Sequence, residues 1–108
     1  MDEREFTAGA DAELARIESL LEVASMRDDA TFDFETKPGG VIEIEFESGS
    51  KIILNRHVAA REIWLAAKSG GYHFRPVDGR WLGTRDGEEL LAALSRTLSE
   101  QAGVRIAL

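Results

Sequence analysis

The sequence predicts an α+β fold, a two-layer sandwich in which two helices pack on one face of a five- to six-stranded antiparallel sheet. Three observations lead there. An apolar stripe at steps of three and four runs through the first 26 residues. From Thr31 to Gly83, apolar and polar residues alternate between glycine-bearing turns. Leucines at helical spacing follow Asp86. A strand meander with a helix at each end is most economically closed with both helices on one side of one sheet, leaving the other face to solvent.

The first helix is expected over roughly residues 3 to 26. Phe6, Ala10, Leu14, Ile17, Leu21 and Ala24 form its apolar stripe, while Asp11, Glu18 and Glu22 lie along one flank, about a quarter-turn away at roughly 100° per residue. Arg27-Asp28-Asp29-Ala30 breaks the pattern and the period becomes two. In Thr31-Phe32-Asp33-Phe34-Glu35 the rings point one way and the acids the other. Gly39-Gly40 turns the chain into Val41-Ile42-Glu43-Ile44-Glu45-Phe46, which alternates again.

Glu47-Ser48-Gly49 suits a three-residue hairpin loop with Gly49 left-handed. That loop pairs Ile44 with Ile52, Ile42 with Leu54, and Glu45 with Lys51. A two-residue loop would set Phe46 against Lys51 on the core side. Strands follow at about Glu62 to Ala67, Tyr72 to Pro76 and Arg80 to Gly83, with turns at Ser69-Gly70-Gly71 and Asp78-Gly79. Asp86 and Glu89 are spaced as a capping box for a second helix, which carries Leu90, Leu91, Leu94 and Leu98 and stops at Gly103. Val104, Ile106 and Leu108 form an alternating tail that must pack somewhere.

The chain has 108 residues, which fits one domain spanning 1–108. It has no cysteine, so disulfides, thiolate-held zinc or iron–sulfur sites and thiol nucleophiles of its own are excluded. No apolar run reaches the ~18 residues of a membrane span, and the acidic start is unlike a signal or transit peptide, so a cytoplasmic protein is expected. Fourteen of the twenty acidic residues, against four basic ones, fall in the first 50 positions, a local formal charge of −10; the remainder carries +3. Such a field suits cations and basic protein surfaces. With a net charge of −7, nucleic acid is not an expected partner.

Two features stand out chemically. Glu18, Glu22, Asp28, Asp29, Asp33 and Glu35 form a run of carboxylates across helix, loop and strand, and carboxylate oxygens are hard ligands for Mg, Ca, Mn and iron ions. A solvated acidic face is the bland alternative. Trp64, between core-facing Ile63 and Leu65, must stand on the open sheet face. With Asn55 and Arg56 near in sequence it reads as an interface anchor, or else as one ring of a minor surface cluster. His57 and His73 lack ligand spacing and read as structural or solvent-exposed. No nucleophile elbow, P-loop or dinucleotide fingerprint is present.

Gly40-Val41, then Ser48-Gly49-Ser50-Lys51-Ile52-Ile53-Leu54-Asn55-Arg56, then Ile63-Trp64-Leu65-Ala66, then Gly70-Gly71-Tyr72-His73-Phe74 together resemble the frataxin family, in its bacterial branch. The resemblance covers nearly the whole chain and departs at His57-Val58-Ala59-Ala60, where a Gln and then a Pro are usual. It implies a two-layer sandwich with one antiparallel sheet. It also implies weak binding of ferrous and ferric iron by Glu18, Glu22, Asp28, Asp29, Asp33 and Glu35, with no haem or cluster held by dedicated ligands. It further implies a role in iron–sulfur cluster assembly through the cysteine desulfurase and the scaffold protein. In that picture the acidic ridge meets a basic patch of the desulfurase, and the sheet face around Asn55, Arg56 and Trp64 contacts partners. The expected protein is a monomeric regulator or adaptor rather than an enzyme. The alternatives are a ferroxidase or iron-storage protein, for which no Glu-x-x-His pair exists, and a plain interaction module whose acid serves solubility.

Overall fold

The computed structural model describes residues 1–108. The first helix, α1, spans Glu3–Ser25 and starts where Asp2 Oδ1 accepts the Glu5 N–H at 2.8 Å. An oxygen at this position satisfies one of the amides that a helix start leaves free. The buried residues of α1 are Phe6, Ala10, Leu14, Ile17, Leu21 and Ala24, the stripe that the spacing predicts.

Six strands follow: β1 Phe32–Lys37, β2 Val41–Phe46, β3 Lys51–His57, β4 Glu62–Ala67, β5 Gly70–Val77 and β6 Arg80–Gly83. They lie in the order β1-β2-β3-β4-β5-β6, every neighbouring pair antiparallel. The second helix, α2, spans Leu90–Ala102. Both helices cover one face, where Ile42, Ile44, Ile52, Leu54, Ile63, Leu65 and Phe74 meet Leu14, Ile17, Leu21, Leu90, Leu94 and Leu98 in one apolar cluster. Each such aliphatic side chain contributes about 1.5–3 kcal/mol by leaving water.

The β2–β3 hairpin has the predicted register: Ile44 faces Ile52, Ile42 faces Leu54 and Glu45 faces Lys51. Gly49 closes it at φ +89°. The tail packs as its alternation requires. Ile106 is buried, and its N–H donates to Ser99 Oγ at 2.8 Å.

Two local expectations are corrected. Gly70 and Gly71 belong to β5, opposite Ala67 and Ala66, and the turn is Lys68-Ser69 alone. The capping box is not formed. Glu89 occupies the N-cap of α2 with no side-chain cap bond, because a bridge to Leu82 holds its backbone and an ion pair to Arg80 at 2.9 Å holds its carboxylate. Asp86 Oδ1 instead accepts the Glu88 N–H at 3.0 Å within the preceding turn.

Candidate functional site

The open face of the sheet is built by strand alternation. Asp33 and Glu35 of β1 project there, directly opposite Glu45 and Glu43 of β2. Like charges facing each other across strands oppose sheet formation. Lysines relieve part of this. Glu43 takes Lys37 Nζ at 2.6 Å and Lys51 Nζ at 2.8 Å, and those hydrogen bonds, Lys37 first, hold its carboxyl at about 2. Both lysines are shifted upward by the same contacts. Glu35 has only Lys37 at 3.6 Å, and Asp33 has no ion pair. The far side of the same face carries Arg75 of β5 and Arg80 of β6, each ion-paired, with Glu62 and Glu89 at 2.9 Å, so the uncompensated charge of this face lies at its β1 border.

The other expected ligands lie around the β1 edge rather than on this face. Glu18 and Glu22 are exposed on α1, in the helix layer, without ion-pair partners. Glu18 lines a groove with Thr36 and Lys37 of β1. Asp28 and Asp29 are exposed in the bend that leads from α1 to β1, and Asp29 is paired with Arg27 at 2.9 Å. Ser25, at the end of α1, shares a second groove with Asp33 and Glu45. The six carboxylates therefore wrap one border of the molecule, from helix through bend to open face. No three His, Asp or Glu side chains converge closely enough to hold one ion together.

Trp64 stands on the open face, half-buried, opposite Asn55 on β3 and His73 on β5. Its ring is sandwiched. The His57 ring stacks at 3.9 Å and 12°, and the His73 ring on the other side at 4.4 Å and 8°. Beneath lies Glu62, outward-pointing by alternation yet only 7% exposed at its side chain. Its carboxylate accepts Trp64 Nε1–H at 2.8 Å and Arg75 Nε–H at 2.9 Å, and His73 Nδ1 lies 3.3 Å away. Burial, the largest influence, favours the neutral acid, but the donors from Trp64 and Arg75 and the nearby charges outweigh it and lower the carboxyl below its ordinary value. The result is a fixed indole flanked by imidazoles over a buried carboxylate, a flat and preorganised platform.

Arg56 is not part of that platform. It alternates with the buried Ile52 and Leu54, so its side chain passes to the helix side, where Nη1 donates to Asp11 Oδ1 of α1. The placement of Asn55, Arg56 and Trp64 on one face is corrected accordingly: strand period two separates Asn55 from Arg56. The same pairing removes Asp11 from the free acids of α1.

Sequence reasoning missed the two histidines around Trp64. Cross-strand register was the information lacking. Trp64 meets His57 only because the Val58-Ala59-Ala60-Arg61 loop sets His57 opposite Glu62. That loop closes with Arg61 at φ 55°, a left-handed conformation that no local glycine announces.

Three comparisons bear on this geometry. A family model described as Frataxin-like domain matches residues 1–104. The chain is 53% identical over 108 residues to an iron-sulfur cluster assembly protein CyaY of Dechloromonas aromatica, covering 100% of this chain and 99% of that one. It is 49% identical to the protein of the same name in Ralstonia nicotianae, covering 100% and 95%. Among solved structures, a frataxin from Psychromonas ingrahamii superposes with a TM-score of 0.86 at 29% identity, over 99% of this chain and 97% of that one. A trimeric yeast frataxin complexed with ferrous iron gives 0.72 at 29% identity, over 87% and 84%.

Proposed function

The chain belongs to the frataxin-like domain family, and from that premise we propose that it serves iron–sulfur cluster assembly as a cytoplasmic, iron-binding adaptor without catalysis of its own. Ferrous or ferric iron is bound weakly at the surface by Glu18, Glu22, Asp28, Asp29, Asp33 and Glu35. The same border docks on a basic patch of the cysteine desulfurase, while Asn55 and Trp64 on the open face contact the desulfurase or the scaffold protein.

One observation carries this reading. Carboxylates crowd the β1 border beyond what the local lysines neutralise: Asp33 and Glu35 face Glu45 and Glu43, and Glu18, Glu22 and Asp28 have no ion-pair partner. A hard cation or a basic surface relieves repulsion already present in the folded chain. Because both ligands draw on the same oxygens, iron and desulfurase couple, each altering the affinity of the other. The relatives named for iron–sulfur cluster assembly and the ferrous-iron complex of the yeast protein support the same direction.

The test replaces Glu18 and Glu22 together by Lys. Desulfurase affinity measured by titration is expected to fall about tenfold or more, as inverted charges at a complementary interface do, with the circular dichroism spectrum unchanged. Unchanged affinity rejects the border as the docking surface. Anaerobic calorimetry with ferrous iron checks the other half: weak saturable binding is expected, and an isotherm indistinguishable from dilution rejects it. Dioxygen consumption well above that of free iron would favour a ferroxidase instead.

A further inference from the structure

The apolar stripe of α1 attaches the helix to the sheet by burial, a driving force that is non-directional. Directional contacts must set the remaining freedom. The ion pair of Asp11 with Arg56 is the one ion pair that joins α1 to the sheet; Arg16 pairs within the helix, and Arg27 pairs with the bend. The backbone is shaped around this arginine. Arg56 N–H donates to Gly40 O at 3.0 Å, and Gly40 holds φ +77°. A Cβ built on Gly40 would sit 2.7 Å from both Cγ and Nη1 of Arg56, so only glycine leaves the guanidinium its path to α1. Arg56 Nε is buried with no hydrogen-bond partner, so this geometry is kept although it leaves one donor unsatisfied.

Arg56 also follows Asn55 on β3. One residue faces the indole platform and the next grips the acidic helix. Resting on the reading proposed above, we infer that Arg56 is a positioning residue, which fixes the carboxylate-bearing helix relative to the Asn55–Trp64 face so that one partner can engage both surfaces in a single geometry. Arg56 itself touches neither iron nor partner. It acts through Asp11, and Gly40 keeps its path open.

The test measures orientation and affinity together, on Arg56→Met, Asp11→Asn and Arg56→Lys in the full chain. Residual dipolar couplings of α1 and sheet amides are expected to fit one alignment tensor in the unchanged chain, and to need two in Arg56→Met and Asp11→Asn. Desulfurase affinity is expected to fall roughly three- to tenfold in those two variants, the scale on which residues outside a contact modulate it. Arg56→Lys, which can still reach Asp11 with a charged donor, is expected to restore most of both readouts. If Arg56→Met does not fold, Asp11→Asn, altered on an exposed helical residue, carries the same expectations. A single tensor in Asp11→Asn, or an altered tensor with unchanged affinity, overturns the inference. The Glu18→Lys, Glu22→Lys double variant separates the two ideas. Affinity lost there but kept in Asp11→Asn sinks only the positioning role, whereas affinity kept in both sinks the docking border and the positioning role with it.

Discussion

Glu62 shows how a single residue can be assembled by its neighbours. Its position on the strand faces water, yet Trp64, His73 and Arg75 close over it and hold its carboxylate ionised. A carboxyl lowered on folding contributes stability that is present above the ordinary value, 4.5, and is lost as the pH falls through the lower folded value. Replacing Glu62 by Gln is therefore expected to cost about 1–3 kcal/mol at pH 7, since donors of a buried charged network lose their anion. The same variant should show a flatter decline in melting temperature below about pH 4.5 than the unchanged chain. Thermal unfolding between pH 7 and pH 3 measures both. Equal slopes would mean that the carboxylate is not held by its donors. None of this was readable from Glu62 in the sequence, where alternation marks it only as an outward polar residue.

At the scale of elements, the parts that were legible are those whose chemistry is local. The α1 stripe, the β2–β3 register and the Asp78-Gly79 turn follow from spacing, from Gly49 and from an Asp-Gly pair suited to the two positive φ values it adopts, 49° and 78°. The parts that were not legible depend on partners distant in sequence. Gly70-Gly71 carries a strong turn signal, but β4 recruits both residues as ladder partners and Arg85 Nη2 donates to Gly71 O at 2.7 Å. The Asp86–Glu89 spacing satisfies a capping box on paper, but Arg80 and Leu82 take Glu89 first. Among the site residues, the carboxylate border was visible as a charge run and Trp64 as an alternation outlier. The separation of Asn55 from Arg56 follows from the same period two. The histidine stack needed a register that the β3–β4 loop hides. The start of α2 offers a direct check. Asp86→Ala, which removes the acceptor for Glu88 N–H, is expected to cost about 1 kcal/mol, the net worth of one hydrogen bond. Glu89→Ala removes only an exposed pair and should cost about 0–1 kcal/mol. Denaturant midpoints that reverse this order would show that the Glu89 carboxylate holds the start of α2 more firmly than the Asp86 turn does.

The whole molecule is a plate charged unevenly. Its α1 and β1 border is acidic, acid and base cancel along β5 and β6, where Arg75 pairs with Glu62 and Arg80 with Glu89, and the net charge is −7. If docking on the desulfurase uses the acidic border, association should be the step that salt controls. Between about 0.1 M and about 1 M salt the screening length shrinks from roughly 10 Å to roughly 3 Å. The association rate measured by stopped flow is expected to fall about tenfold or more over that range, while dissociation changes far less. A salt-independent association rate would leave the border without a part in encounter. The one-sided placement of the free carboxylates has a mechanical consequence as well. A body whose uncompensated negative charge is gathered along one rim feels a torque from any charged object nearby. It turns as it drifts, so a partner presenting cations is met rim-first, and the rotational search shrinks from a full sphere to a cone before the first side chains touch.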